Sequence, residues 1–322
     1  MPKLRRTIVL ALALACGPAL AQGYPTRPLH LVVGFAPGGA SDIISRAMSE
    51  PLARAFGQPV IVDNRPGAGS SLAAELVSKS EPDGYTVMIA SPSAVFVNPI
   101  IMKSVRYVTE RDFAPITLVT TSPLVVAVHP SVPVTSLREL IDYAKKNPGK
   151  LNFATSGNGS APHLGTVLLA GLTGIQMVHV PYKSGGLAVQ SVLAGDTQLT
   201  IATPPSVLPQ VKAGRLRGLA VTSAERTPLV PDLPGMREAG VEGYNYSFWY
   251  GMFAPAATPR PVINRLFDAT VTALKDERLR KILANDGTET APSKSPDDFV
   301  AWLREEGKLW AKLVKESGAK VD

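Results

Sequence analysis

A strand-like run, a glycine-rich turn and a helical stretch follow one another three times in this chain, and this repetition constrains the fold most. The three turns cover residues 34–42, 64–71 and 155–163, and each follows a short apolar run. Alternation of strands and helices is typical of α/β proteins with parallel strands. We therefore predict an α/β fold with largely parallel sheets.

Nine short runs are predicted strands, because they are rich in β-branched residues and end at turn residues. They cover residues 29–35, 60–63, 86–90, 124–129, 151–154, 177–180, 199–202, 216–221 and 248–254. Helical spacing after the first turn predicts a helix that kinks or restarts at Pro51 and ends at Gly57. The last helix should be capped by Ser295, begin at Pro296 and end at Gly318.

The three glycine-rich turns are candidate anion sites. A helix N-terminus presents unpaired backbone N–H groups and a partial positive charge, and glycine allows a ligand to approach the backbone. The alternative is that the glycines only turn the chain, with Asp42, Ser71 and Ser160 as helix caps. Capping is sufficient to explain any single turn. Three turns at the carboxyl ends of strands, where open α/β sheets bind ligands, favour one shared anion site.

Motifs for nucleotide or hydrolase chemistry are absent from the sequence, which lacks G-x-x-x-x-G-K-[ST], G-x-G-x-x-G, G-x-S-x-G and H-E-x-x-H. The four histidines are isolated in sequence, and only His163, inside the third turn, is placed near a ligand, with capping or solvent exposure as the alternative. Charged residues are scattered without a basic run, so nucleic acid is not expected as a partner. We predict no enzymatic activity, no cofactor and no metal site.

The first residues have the pattern of a cleaved export signal. Basic residues precede an uncharged apolar run at residues 7–20, which ends in an A-x-A site. We expect a signal peptide at residues 1–21, cleavage near Ala21 and a periplasmic mature protein. Cys16, the only cysteine, lacks the preceding residue order of a lipidation signal. The chain has 33 Lys and Arg residues, three of which lie in this signal, and 26 Asp and Glu residues. The mature chain is therefore mildly basic, which suits an anionic solute.

Six segments lie in a fixed order along the chain, among them Phe-Ala-Pro-Gly-Gly-Ala-Ser-Asp and Val-Asp-Asn-Arg-Pro-Gly-Ala-Gly. The segments are residues 31–42, 62–69, 81–86, 112–115, 157–160 and 180–183. From about residue 25 onward they resemble the successive signatures of Bug-type receptors of tripartite tricarboxylate transporters. Residues 184–186 and 233–240 depart from the usual pattern of that family, so the ligand cannot be carried over from a relative.

The resemblance implies a periplasmic binding protein-like fold, with two α/β domains joined by two crossing strands and a ligand cleft between them. Domain I would comprise residues 23–122 and 250–322, and domain II residues 123–249, with crossing strands at residues 124–129 and 248–254. It implies a monomeric receptor that captures a small carboxylate solute and delivers it to the membrane subunits of a tripartite tricarboxylate transporter. A stand-alone ligand sensor is the alternative, and a secreted enzyme comes third.

The resemblance also implies that backbone amides and hydroxyls of the turns hold the ends of the ligand. Phe35 would pack over the ligand, and Asp42 would cap or anchor its helix, because its charge repels a carboxylate. The predicted ligand-binding residues are Phe35, Ala36, Pro37, Gly38, Gly39, Asp42, Ala68, Gly69, Ser91, Ser93, Ser156, Gly159, Ser160, His163, Tyr182 and Thr203.

Overall fold

The computed structural model describes residues 23–35, 37, 40–182, 185–285 and 287–317. The predicted signal peptide, with Cys16, lies outside these residues, as does Gly318 at the predicted end of the last helix. Three predicted site residues of the first turn are also outside them: Ala36, Gly38 and Gly39. Within the described ranges no helix is both long and apolar enough to cross a bilayer.

The strands of the described chain form two mixed sheets. In chain order they are β1 (Leu29–Val33), β2 (Val60–Asn64), β3 (Thr86–Ala90), β4 (Phe113–Pro123), β5 (Val125–Val128), β6 (Asn152–Thr155), β7 (Val178–Pro181), β8 (Leu199–Ala202), β9 (Arg217–Val221), β10 (Ser247–Pro255) and β11 (Glu289–Thr290). The first sheet has the order β11, β4, β10, β3, β1, β2, and the second has the order β7, β6, β8, β5, β9.

Helices connect most of these strands. They are α1 (Ala40–Phe56), α2 (Ser71–Ser78), α3 (Asn98–Ile101), α4 (Thr109–Asp112), α5 (Leu137–Lys146), α6 (Ala161–Thr173), α7 (Gly185–Ala194), α8 (Pro204–Lys212), α9 (Arg260–Ala273), α10 (Glu277–Asn285) and α11 (Pro296–Ser317). A short 3₁₀ turn at Ala68–Ser70 and a π-helical turn at Ser93–Val97 complete the elements.

All nine predicted strands are present, with bounds within two residues of the prediction. The prediction missed β4 and β11. The prediction of largely parallel sheets is wrong in part: β1, β2 and β3 are parallel, as are β6, β7 and β8, but β4, β5, β9 and β10 are antiparallel to their neighbours. The reason is that β5 and β10, the first strands after the two passages of the chain between the sheets, run against the parallel strands of their sheets. Strands β4 and β9 run with the parallel strands but pair with β10 and β5, so their pairing is also antiparallel.

The two passages of the chain between the sheets lie side by side. The first is at Leu124, between β4 and β5, and the second is at Tyr246, just before β10. Thr222 bonds to both, because its backbone N–H donates to the Leu124 carbonyl at 2.8 Å and its carbonyl accepts the Tyr246 N–H at 3.0 Å. The predicted crossing strand at residues 124–129 is therefore β5, which lies inside the second sheet. The predicted domain boundaries stay a prediction.

The final helix packs on the first sheet and on helix α6, which covers the second sheet. Its N-terminus is as predicted, since the Ser295 hydroxyl accepts the Asp298 N–H at 3.0 Å and Pro296 begins the helix. Helix α11 contacts β4 of the first sheet and α6, which covers the second. Buried Phe299 and Trp310 on this helix belong to an apolar core that extends through both sheets. Burial of such aromatic side chains is a main source of folding free energy.

The prediction for helix α1 at Pro51 was a kink or a restart, and the restart is wrong. Pro51 lies inside the helix, which continues from Ala40 to Phe56 without a restart. The helix ends at Gly57, whose φ of 70° is typical of a glycine that terminates a helix.

Candidate ligand-binding cleft

A cleft of about 870 Å³ lies between the two sheets, at the carboxyl ends of their parallel strands. Its first wall belongs to the first sheet and includes residues after β1, β2 and β3 together with side chains of β4 and β10. Its second wall includes residues that follow β6, β7 and β8. This is the edge where open α/β sheets bind their ligands.

Half of the predicted site residues line this cleft. They come from five separate turns, so the fold brings together residues that are far apart in sequence. The eight are Phe35, Gly69, Ser91, Ser93, Ser156, Gly159, Ser160 and Thr203. Their contact with a ligand stays a prediction.

Five other predicted residues are described but do not line the cleft: Pro37, Asp42, Ala68, His163 and Tyr182. The Tyr182 hydroxyl lies 2.5 Å from the Ser191 hydroxyl, and Pro37 is exposed. Ala68 precedes the lining residue Gly69 in the second turn.

Asp42 is bonded within the protein. Its buried carboxylate forms an ion pair with Arg46 at 2.9 Å and accepts the Asn64 amide at 2.9 Å. The same Asn64 amide donates to the Phe35 carbonyl at 3.0 Å. Asn64, at the end of β2, therefore links Asp42 of α1 to the Phe35 carbonyl after β1, and the predicted cap or anchor role of Asp42 stays a prediction.

The second turn adopts its shape through glycine and a neighbouring amide. Gly69 has a φ of 60°, and its carbonyl accepts the Asn98 amide at 2.8 Å. Gly34 lies directly against this turn, since an added Cβ would stand 1.7 Å from the Ser70 hydroxyl oxygen. A side chain at position 34 is therefore excluded by the packing of the first turn on the second.

Three lining hydroxyls of the first wall are buried without a hydrogen-bond partner in the described structure. Ser41 on α1 neighbours the Tyr250 hydroxyl, which leaves Ser91, after β3, and Thr120, on β4. A buried hydroxyl left unpaired costs about 1–3 kcal/mol, so native structures rarely contain one that no ligand or water satisfies. Both residues line the cleft. They are the strongest candidates for hydrogen bonds to a polar ligand.

The Ser160 and Thr203 hydroxyls of the second wall are already bonded within the protein. Ser160 caps α6, because its hydroxyl accepts the His163 N–H at 3.4 Å, and it donates to the Gly157 carbonyl at 2.7 Å. The Thr203 hydroxyl lies 2.9 Å from that of Ser206. This wall therefore has a fixed shape, and its ordered turns are the feature that it presents to the cleft.

None of the described residues that line the cleft carries a charged side chain. Arg65, the arginine of the second turn, is not among them and pairs with Asp63 at 2.9 Å. The rest of the lining includes apolar side chains such as Ile44, Phe248 and Leu283. Within the described ranges no group of three His, Cys, Asp or Glu residues is placed to hold a metal ion. An anion in this cleft would be recognised by neutral donors and would lie beside apolar surface.

Sequence reasoning missed the contributions of β4, β10 and the C-terminal segment. Thr120 and Ser122 were missed because β4 contains Pro115 and Pro123 and was not predicted as a strand. Thr120 and Ser122 are two residues apart and therefore lie on one face of a strand, and this alternation is the pattern that could have identified them. Tyr250 on β10 also lines the cleft, and burial raises the pKa of its hydroxyl, a shift that the neighbouring Ser41 hydroxyl partly offsets.

Comparison with known proteins gives consistent results. The family described as "Tripartite tricarboxylate transporter family receptor" matches residues 44–319. Protein BugT of Bordetella pertussis is 35% identical over 315 residues, which are 98% of this chain and 96% of BugT.

Two solved structures have the same fold. The structure of R. palustris Rpa4515 with adipate has 34% identity and a TM-score of 0.80, and covers 92% of this chain and 100% of that chain. MatC (Rpa3494) from Rhodopseudomonas palustris with bound malate has 29% identity and a TM-score of 0.76, and covers 90% and 100%.

Proposed function

This chain belongs to the tripartite tricarboxylate transporter receptor family, and we propose that it is a periplasmic solute receptor that captures a small carboxylate in the cleft. Delivery of this solute to the membrane subunits of a tripartite tricarboxylate transporter completes the proposed role. The observation that carries the proposal is the pair of unpartnered buried hydroxyls, Ser91 and Thr120, in a cleft between two sheets.

The chemistry of the cleft supports a carboxylate solute. Hydroxyl and N–H groups that donate to a charged acceptor contribute about 1.5–3 kcal/mol each, so a small set of neutral donors is sufficient for micromolar binding. The similar structures that hold adipate and malate show that dicarboxylates bind to proteins of this fold. The apolar side chains around Ile44 and Leu283 favour a solute with an aliphatic or aromatic body between its polar ends.

The first experiment is calorimetric titration of the mature protein with adipate, with malate, and with the neutral diamide of adipate as the control. We expect one-to-one binding of a dicarboxylate and weaker binding of the diamide, because the diamide lacks the charge that strengthens each hydrogen bond. Saturation at 100 times Kd should raise the free energy of unfolding by about 2.7 kcal/mol. The ligand should be recovered chemically unchanged. A panel of carboxylates without any binder would refute the proposal.

The second experiment tests closure and export. Because the cleft has one wall from each sheet and a small solute can contact both walls only when they approach each other, ligand binding should reduce the radius of gyration in small-angle scattering. Intact-mass analysis of periplasmic protein should show a chain cleaved after Ala21, as the A-x-A site predicts. A diacylated chain that starts at Cys16 would contradict the export prediction.

A further inference from the structure

Two histidines that are separated in sequence form a stacked pair behind the second wall. The rings of His163 on α6 and His179 on β7 are 4.0 Å apart, with an angle of 8° between their planes. Phe153 on β6 continues the stack, 4.9 Å from the His179 ring. The two imidazoles line a separate cavity of about 440 Å³, and neither lines the ligand cleft.

Each imidazole is connected to one end of the same glycine turn. The Gly159 N–H donates to Nδ1 of His163 at 3.1 Å. Nε2 of His179 lies 2.6 Å from the Thr155 hydroxyl, and that hydroxyl accepts the Gly157 N–H at 3.2 Å. The turn between these two bonds carries Ser156, Gly159 and Ser160 into the lining of the cleft.

The turn needs this support because of its backbone conformation. Gly157 has a φ of 115° and Gly159 a φ of 69°, and glycine gains flexibility from the same freedom that permits these angles. A flexible turn would lose conformational entropy when a ligand binds, whereas a turn that is already held in one conformation does not.

The imidazole of His163 is in its neutral form. Nδ1 accepts a hydrogen bond, so the ring proton is on Nε2. Burial, and secondarily the neighbouring His179, lowers the pKa of His163 to about 4, and burial also lowers the pKa of His179. The other ionisable group in the cavity is Glu316 on α11, which lies 3.9 Å from Lys312 of the same helix. The histidine pair therefore keeps Nδ1 of His163 as a hydrogen-bond acceptor at neutral pH.

We propose that His163 is a positioning residue for ligand binding, whose imidazole accepts the Gly159 N–H and holds the turn at residues 156–160 in the shape that lines the cleft. It follows that the Gly159 N–H serves the protein and is not a ligand donor. The effect on ligand affinity rests on the proposed function. The effect on the turn does not, and can be measured without a ligand.

Two substitutions separate the hydrogen bond of His163 from its stacking. In His163→Asn the side-chain oxygen can stand near the position of Nδ1, so the variant keeps an acceptor and loses the ring. In His163→Phe the ring and its stacking remain and the acceptor is lost. His129→Phe is the control, because His129 is a partly exposed histidine that bonds to Ser131 and is not among the residues lining the cleft.

The first test needs no ligand. With glycine-selective ¹⁵N labelling, amide exchange of Gly159 should be about tenfold faster in His163→Phe than in wild type, because the lost bond corresponds to about 1.4 kcal/mol. His163→Asn and the His129 control should resemble wild type at this amide. Equal exchange in wild type and His163→Phe, with both proteins folded, would overturn the proposal.

The second test measures adipate affinity by calorimetry beside the free energy of unfolding. We expect His163→Phe to weaken binding by about tenfold while it stays stable, and His163→Asn to bind within about threefold of wild type although it is less stable. A merely structural histidine would give the opposite, with affinity following stability, and that result would overturn the proposal. If wild type binds neither adipate nor malate, the proposed function fails, and the exchange of Gly159 still decides the role of His163.

Discussion

On the first wall of the cleft the hydroxyls of Ser91 and Thr120 are buried without a partner, whereas on the second wall the hydroxyl of Ser160 bonds within its own turn. The first wall thus has bonding capacity that only a ligand or water can fill. On the second wall the bonding capacity of Ser160 is used to fix a glycine turn. The difference indicates that the two walls have different roles, in which one wall supplies hydrogen bonds and the other supplies a rigid shape.

The largest effect should come from the shape of the second wall. An added Cβ at Gly159 would stand 2.9 Å from Ile101 and 3.0 Å from Val97, which belong to the side of the first sheet, and the φ of 69° is strained for alanine. We expect Gly159→Ala to weaken ligand binding by about a hundredfold, because the turn must move out of its position.

Gly149→Ala is the matched control for that variant. Gly149 has a φ of 70°, almost the same as Gly159, but nothing lies within 4 Å of an added Cβ. It should lose about 1–2 kcal/mol of stability from backbone strain and keep its affinity. Equal affinity losses in the two variants, measured by calorimetry, would show that strain alone explains the result.

The next largest effect should come from the unpartnered hydroxyls. Ser91→Ala and Thr120→Val should each weaken carboxylate binding by about tenfold to a hundredfold, since a hydrogen bond to a charged acceptor is worth about 1.5–3 kcal/mol. Their free energy of unfolding without ligand should not fall, because each change removes an unpaired buried group.

Ser160→Ala tests the other side of this comparison. Loss of the helix cap should cost about 1 kcal/mol of stability with little change of affinity, although the sequence predicts Ser160 as a ligand contact. Calorimetry measures the affinity and urea unfolding measures the stability, so together they distinguish a helix cap from a ligand contact. If Ser160→Ala binds much more weakly than Ser91→Ala, the assignment of roles to the two walls is reversed.

A smaller, pH-dependent effect is expected at helix α11, which packs on β4 and on α6. Glu306 on α11 accepts the indole N–H groups of Trp249 at 2.8 Å and Trp310 at 2.9 Å. Burial raises the pKa of Glu306, and these two hydrogen bonds offset part of the shift. The folded protein then holds this proton more tightly than the unfolded chain, so this residue lowers stability as pH rises above the usual glutamate range.

Glu306→Gln keeps an acceptor for the two indoles and cannot ionise. The free energy of unfolding of the variant minus that of wild type should therefore be larger at about pH 8 than at about pH 5, as measured by urea unfolding. A difference between the two proteins that is independent of pH would mean that Glu306 does not titrate in this range.

The smallest effect is expected at Arg65. The arginine is half exposed and pairs with Asp63 of its own loop, and exposed pairs contribute about 0–1 kcal/mol. Arg65→Ala should therefore change stability by less than about 1 kcal/mol and leave carboxylate affinity within about twofold. Loss of binding in a folded Arg65→Ala protein would mean that an arginine, and not a set of neutral donors, recognises the carboxylate.

Most strands could be predicted because their sequences carry a local signal, a β-branched run that ends at turn residues. The same holds for the N-terminus of α11, where Ser295 and Pro296 act over one helical turn. Strand β4 escaped prediction because its prolines are unfavourable locally. It forms in the sheet through pairing with β10 along most of its length.

The glycine turns and their likeness to one receptor family were determined by the sequence alone, since φ angles, caps and motif order depend on residues close together in the chain. Which polar groups remain available was decided by the tertiary structure. Ser160 and Ser91 are both serines at turns after strands, yet one is bonded and the other is unpaired. Whether a buried hydroxyl has a partner depends on residues brought near it by folding, and no local pattern encodes that distance.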